Sequence, residues 1–416
     1  MRRPRSPRAT LAVTVLGALA VLGALAAGCG TNFEMPTEHR GNRAIPADKS
    51  YQVVSAWTGF DRVQDILITQ RFGSQLFILF ARPQPDPMSE ATAAVYPMTQ
   101  KDPIPGTSFL HLHNAVALAA GGDGAGGRLN RIYALDRGDT CQARIRPDTV
   151  YANCAEDVEG APPPPGLPRP PVWDRHITNL NIYPRVREYG LLGGDTISTF
   201  ADTTFADVLG IAADYQGQVY VAGTAIILEP DVSNPRIRTR QFESRIYRYA
   251  RGPRYLGIQP PDRLLPGATW HRDTTWQVIE GSGVGSVQNP HRIDWMLTPN
   301  GSRLYASDFN KNWIQVLSDQ QSSTGYFALD GAATGTFFYQ ADDVAADEQG
   351  FIYLCDTGNR RVLRYGPDNP FIQRVDISDV GGTGPLVRPV AVAANDTLVF
   401  IADPGYPAVF KMRRRP

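Results

Sequence analysis

The chain has 416 residues, with 41 basic and 41 acidic side chains, 39 Gly, 34 Pro and 10% aromatic residues. Its first 28 residues hold four Arg and no acid, so the remainder carries 37 basic against 41 acidic residues, a net charge near −4. That balance excludes nucleic acid as the partner, because phosphate binding needs a concentrated basic surface, and the one basic cluster, Arg413 to Arg415, reads as a solvated tail.

Residues 1–28 read as an export segment and stand outside the fold. Arg2, Arg3, Arg5 and Arg8 form a positive n-region, Leu11 to Leu25 run apolar without a charge, and Ala26, Ala27 and Gly28 lead to Cys29. The apolar run is too short for a bilayer span of about 20 residues. This segment resembles the lipobox of bacterial lipoproteins, although Leu25 lies one place further from the cysteine than in the usual pattern. The resemblance implies an exported lipoprotein, with Cys29 as the new N-terminus and acyl chains such as palmitate on its thiol. Gly30 follows where the enterobacterial sorting rule would look for Asp, which implies the outer membrane. Residues 29–50 are polar, carry Pro36 and Pro46 and show no apolar period, so they are expected to be a flexible tether.

The region from residue 51 on is large for one ordinary core and natural for a repeat architecture. Tyr51 to Trp57 reads as a strand. Two worn repeat copies follow. One alternates through Asp65-Ile-Leu-Ile and Leu76-Phe-Ile-Leu-Phe80, and the other runs from Asn114 through Val116-Ala-Leu-Ala-Ala to Arg131-Ile-Tyr-Ala-Leu135. Beyond them, Cys141 and Cys154 are expected to pair in an oxidising compartment, closing a short loop worth about 3 kcal/mol. The proline run from Ala161 to Pro171 is expected to be extended surface chain.

Four clear copies occupy about 205–412. The sharpest is Asp343-Val-Ala-Ala-Asp-Glu-Gln-Gly-Phe-Ile-Tyr-Leu-Cys-Asp-Thr-Gly-Asn-Arg-Arg-Val-Leu-Arg-Tyr365, three short apolar strands joined by Asp/Gly and Asp/Asn turns. Earlier copies are Leu209 to Gly223, with Arg245-Ile-Tyr-Arg-Tyr249 as a delayed third strand, and Ile293 to Asp308, followed by Trp313-Ile-Gln-Val-Leu317. The last runs from Val390 to Asp403 and closes with Ala408-Val-Phe-Lys-Met412. Cys355 lies within an apolar strand and reads as a small buried hydrophobe.

These units resemble the NHL repeat of β-propellers. The resemblance implies an all-β propeller over 51–416, with insertions at about 140–180 and 224–244 and residues 51–57 sealing the ring against the last blade. Six blades are expected; five or seven would also accommodate the worn copies. Tethered through its N-terminus, such a propeller is expected to be monomeric.

In such a fold, ligands meet the residues just before each inner strand. Here those are Asp61 and Arg62, His113 and Asn114, Asp207, His291 and Arg292, Asp342 and Asp343, and Arg388, a mixed-charge mouth. The candidate ligand-binding residues are His113, Asp207, His291, Asp342 and Arg388. Asp308, Asp356 and Asp403 end second strands and read as turn formers, and His271 falls in a long linker. There is no nucleophile elbow, phosphate loop or Cys/His dyad; Gly281-Ser-Gly-Val-Gly lacks the Lys of a phosphate loop.

Two functions remain open. One is a lipid-anchored module binding an envelope protein, peptide or glycan, without a cofactor. The other is a metal-dependent lyase or lactonase-like enzyme, implied by resemblance to six-bladed propeller enzymes. There His113 and His291 would hold a divalent ion (zinc or calcium), although a third equivalent histidine is missing.

Overall fold

The computed structural model describes residues 51–60, 62–69, 75–81, 93–99, 110–112, 115–122, 129–137, 143–146, 149–151, 184–190, 196–202, 204–230, 238–251, 270–298, 301–317, 327–330, 338–366, 375–381 and 383–414. Cys29, the tether, Cys141, Cys154, Asp61, His113, Asn114 and the proline run lie outside them.

Local chemistry sets the strands. At the end of the first strand of the sharpest repeat, Asp347 Oδ1 accepts the N–H groups of Gln349 and Phe351, at 3.1 and 2.9 Å. Gly350 then takes φ 82°, a left-handed conformation that favours glycine, and the chain reverses. Asp214 closes the same turn onto Gln216 and Gln218, with Gly217 at φ 78°. Asn395 does so onto Thr397 and Leu398. The same Asp at the same offsets yields the same hairpin in blades 3 and 5, and Asn395 makes a one-residue-shorter version in blade 6.

Second strands end on a buried aspartate that gathers the next loop. Asp356 accepts from the Tyr339 N–H, Asn359 Nδ2 and Arg361 Nε, the last at 2.7 Å. Asp308 takes the N–H groups of Gln288, Asn289 and Lys311, and Asp403 those of Val387, Arg388 and Gly405. The three are turn formers, as the sequence suggests.

Repeated hairpins give six four-stranded antiparallel sheets. Blade 1 holds β2 (Val63–Ile68), β3 (Gln75–Ala81), β4 (Ala93–Thr99) and β5 (Leu110–Leu112). Blade 2 holds β6 (Ala115–Gly122), β7 (Leu129–Asp136), β10 (Arg185–Gly190) and β11 (Ser198–Ala201). A side hairpin, β8 (Ala143–Arg146) and β9 (Thr149–Tyr151), lies within its insertion. Blade 3 is β12 (Phe205–Ala213), β13 (Val219–Pro230), β14 (Arg238–Arg251) and β15 (Trp270–Val278). Blade 4 is β16 (Pro290–Thr298), β17 (Gly301–Asp308), β18 (Trp313–Leu317) and β19 (Phe327–Asp330). Blade 5 is β20 (Ala341–Ala346), β21 (Ile352–Asp356), β22 (Arg361–Tyr365) and β23 (Val375–Ile377). Blade 6 is β24 (Ala391–Ala394), β25 (Leu398–Asp403) and β26 (Ala408–Arg414), completed by β1 (Tyr51–Thr58).

The ring closes on itself. The inner strands touch in the cyclic order β2, β6, β12, β16, β20, β24 and back to β2. The seam is β1, antiparallel to β26 from Tyr51 opposite Arg414 to Thr58 opposite Ala408. A twisted sheet cannot bury both faces alone, so each blade packs on two neighbours. An apolar cluster fills each of the six interfaces. Trp57, Ile66 and Phe400 join blades 6 and 1, for instance, and Trp276, Trp295 and Leu304 join blades 3 and 4. The chain is a six-bladed β-propeller.

The segment 224–244, expected as an insertion, lengthens blade 3: Thr224–Pro230 pairs with Arg238–Ser244, so the second and third strands run on as a two-stranded arm. His271 sits on β15 rather than in a linker, opposite Ala250. Cys355 is buried and free, as expected of a small hydrophobe.

Candidate binding site at the propeller axis

Every inner strand has one edge unpartnered within its own blade, and that edge faces the axis. Its N–H and C=O groups need partners from elsewhere. The ladders place Asp65, Ala117, Gly210, Arg292, Asp343 and Ala391 at one level. Each precedes a residue paired to the middle of its second strand, such as Val344 opposite Leu354 or Ile293 opposite Ala306. Five of the six inner strands carry a β-bulge at or beside this level, which re-aims the side chain there.

The carboxylates at the axis stitch blade to blade. Asp65 takes the Ile66 N–H on one oxygen and the Leu118 N–H of blade 2 on the other, at 2.8 and 2.6 Å. Asp343 repeats this with Val344 and with Val392 of blade 6, at 2.8 and 2.7 Å. Asp294, two positions beyond the Arg292 level on β16, accepts the Ala346 N–H of blade 5 at 2.8 Å.

Arg292 answers the carbonyl side of the same edges. Its guanidinium donates to the Leu209 carbonyl of blade 3 and to the Gln64 carbonyl of blade 1, the latter at 3.1 Å. Ala117, Gly210 and Ala391 leave width for the guanidinium to cross. Gly210 is obligatory for packing, because a Cβ there would lie 2.9 Å from the His291 carbonyl and 3.0 Å from the Arg292 Cα.

Burial leaves these carboxyls poorly ionised. Asp65 is pushed up to about 6 by desolvation, with the Arg292 charge and two backbone N–H groups opposing. Asp294 is pushed up to about 7, again by burial and further by Asp65. Asp343 is raised well above the carboxylate range by burial and by the neighbouring Asp65 charge. Asp65 and Asp294 therefore exchange protons near neutrality, and Asp343 holds its proton more firmly than an ordinary carboxyl, while all three hold the ring together.

Above this layer lies the mouth, on the face where the inner strands begin. His291 Nδ1 and Asp342 Oδ1 are 2.9 Å apart, bridging blades 4 and 5. The His291 ring stacks on Phe309, centroids 4.4 Å apart and planes 16° off parallel. Both members of the pair remain partly open, at 25% and 18% exposure. Tyr339 and Val387 lie exposed on the loops into blades 5 and 6.

Among the described candidates the structure brings together His291 and Asp342, and not Asp207 or Arg388. Asp207 pairs instead with Arg137 of blade 2 at 2.8 Å. Arg388 is exposed and engages Asp403 through its backbone N–H, and Arg62 is exposed with φ 51°. His113 lies outside the described residues. Among the described residues no group of three or more His, Cys, Asp or Glu side chains is placed to hold a metal ion.

Sequence reasoning passed over Asp65 and Asp294. The available signal was an acid embedded in an apolar inner strand, in Val63-Gln-Asp65-Ile-Leu-Ile and in Ile293-Asp294-Trp-Met.

No family model and no curated protein matches the chain. Among solved structures it is similar to a structural-genomics protein of unknown function from Bacteroides thetaiotaomicron. The identity is 10% over 88% of this chain and 76% of that one, with a TM-score of 0.49. It is also similar to an auxiliary nutrient binding protein from the same organism, at 9% identity, 88% and 73% coverage and a TM-score of 0.44. A third is the PQQ-bound aldose sugar dehydrogenase of Streptomyces coelicolor, at 12% identity, 89% and 99% coverage and a TM-score of 0.43. These likenesses concern the fold alone.

Proposed function

We propose that the propeller is a binding module of the cell envelope that takes a protein, peptide or glycan ligand at the mouth of its axis. The observation that carries this reading is the His291–Asp342 pair, stacked on Phe309 and partly open to solvent. A planar, hydrogen-bonded imidazole on an aromatic floor offers both orientation and contact area to a ligand.

Export and attachment rest on residues 1–29: lipid on Cys29 would hold an NHL-type propeller to the membrane, the outer one by its Gly30. The membrane is then a partner through the lipid, and the mouth is free for another.

Binding of envelope peptides and glycans to the full chain in detergent tests the mouth. His291→Ala and Asp342→Asn are expected to weaken the captured ligand at least about tenfold, on the scale of a lost interface anchor. Phe242→Ser, on the blade 3 arm, should leave it unchanged. Equal affinity in all three variants would sink the proposal. Metabolic labelling with a fatty-acid analogue, lost in Cys29→Ala, tests the anchor separately.

A further inference from the structure

The rim of the mouth lies three residues before each axial level. Arg62 stands there on blade 1, Asp207 on blade 3, Asn289 on blade 4, Gln340 on blade 5 and Arg388 on blade 6, ahead of Asp65, Gly210, Arg292, Asp343 and Ala391. Every described place on the rim is polar. The acids of the mouth are already matched, Asp207 by Arg137 and Asp342 by His291. Asp403 spends its oxygens on the N–H groups of Val387, Arg388 and Gly405. Arg62 and Arg388 are both exposed, and among the described residues neither guanidinium has a hydrogen bond or an ion pair.

The two arginines head one interface. Their inner strands, β2 and β24, pack side by side where blade 1 meets blade 6. The chain that carries Arg388 is pinned on both sides, by its own N–H on Asp403 and by the Thr357 hydroxyl on the Pro389 carbonyl at 2.6 Å. Like charges on neighbouring strands repel, and an anion shared between them turns the repulsion into attraction. A guanidinium meets a carboxylate through two parallel N–H bonds and stays charged at any working pH.

Along the rim from blade 6, blades 5 and 4 offer planar polar groups. His291 turns Nδ1 to Asp342, which leaves Nε2 for a ligand hydroxyl. Next to Phe309 in the chain, the exposed Asn310 accepts from Asn289 Nδ2 at 3.4 Å. Gln340 is fixed by its N–H on Asn312 Oδ1, at 2.8 Å. Imidazole and amide groups suit hydroxyls, each of which both donates and accepts. A peptide would add to an open strand edge, and the axial edges are already taken by Asp65, Asp294, Asp343 and Arg292. We propose that the ligand of the mouth is an acidic oligosaccharide, a class that rests on the mouth reading above. A uronic acid carboxylate is shared by Arg62 and Arg388, and neighbouring hydroxyls meet His291, Asn289 and Gln340.

Titration calorimetry of the full chain in detergent tests the class with three probes: trigalacturonate, its uncharged methyl ester and triglutamate. The expected result is saturable trigalacturonate binding, at least about tenfold tighter than that of either other probe. It should weaken severalfold in Arg62→Gln and in Arg388→Gln, and at least about tenfold in the double variant. Both side chains are exposed, so an unchanged urea midpoint shows that the variants fold. Absence of saturable trigalacturonate binding overturns the proposal, as does equal binding of the ester or undiminished binding in the double variant. Triglutamate or the ester bound tightly, lost in His291→Ala and kept in the arginine double variant, sinks the acidic saccharide and leaves the mouth reading standing. Trigalacturonate binding that survives His291→Ala, Asp342→Asn and the arginine double variant alike sinks both.

Discussion

Two sets of buried aspartates, one on inner strands and one at the ends of second strands, meet opposite circumstances. Asp308, Asp356 and Asp403, at the ends of second strands, are each wrapped by three or more donors from their own or the adjoining loop. Asp65, Asp294 and Asp343, on inner strands, spend one oxygen on a neighbouring blade, and the one guanidinium among them, Arg292, is turned to backbone carbonyls. The first set is structural in a closed local sense. The second makes ring assembly and proton binding depend on the same three carboxyls.

The sharpest way to break the comparison is Asp356→Ala, which takes one of two carboxylate partners from buried Arg361, leaving it Asp376, and removes the Tyr339 and Asn359 bonds as well. A cost of about 3–5 kcal/mol is expected from several buried donors left unmet at once, one of them charged, read from the urea midpoint. Asp343→Ala should cost less, about 1–3 kcal/mol, because it orphans the neutral Val344 and Val392 N–H groups. If the order reverses, the axial acids carry more of the fold than the turn acids.

The next test is pH. Between the ordinary carboxyl value of 3.8 and the folded values of about 6 for Asp65 and about 7 for Asp294, the folded chain holds protons that the unfolded chain has released. Stability contributed by these groups is therefore highest near pH 4 and falls as the pH rises through that window. Calorimetry should show a Tm that drops by a few degrees between pH 5 and 8, and a flatter profile in an Asp65→Asn/Asp294→Asn double variant. The smallest effect belongs to the blade 3 arm: Phe242, half exposed, should tolerate Ser within about 0.5 kcal/mol by urea unfolding.

Legibility followed the same division. The turn acids could be read because their spacing from Gly or Asn is a local rule, repeated in copies such as Asp347 to Gly350 and Asp356 to Asn359. The repeats in turn fixed the strands, and Tyr51–Trp57 could be matched to the blade that lacked a fourth. The axial acids could not be read, because Asp65 reaches Leu118 and Asp343 reaches Val392 only once the ring exists. At the mouth, His291 and Asp342 were legible as candidates expected just before inner strands; the structure makes each the second residue of its strand, and their 2.9 Å bond spans two blades. Asp207 was legible on the same grounds and went to Arg137 instead, since nothing in either local sequence announces that neighbour.

The strand that closes the ring is also the first one the chain offers to anything attached ahead of it. Tension applied through residues 30–50 falls at once on the Tyr51 end of β1, where Tyr51 lies opposite Arg414. If the proposed lipid holds the chain by its N-terminus, the seam would stand in series with that attachment, and a hard pull would peel one strand from blade 6 before it loaded the other five blades.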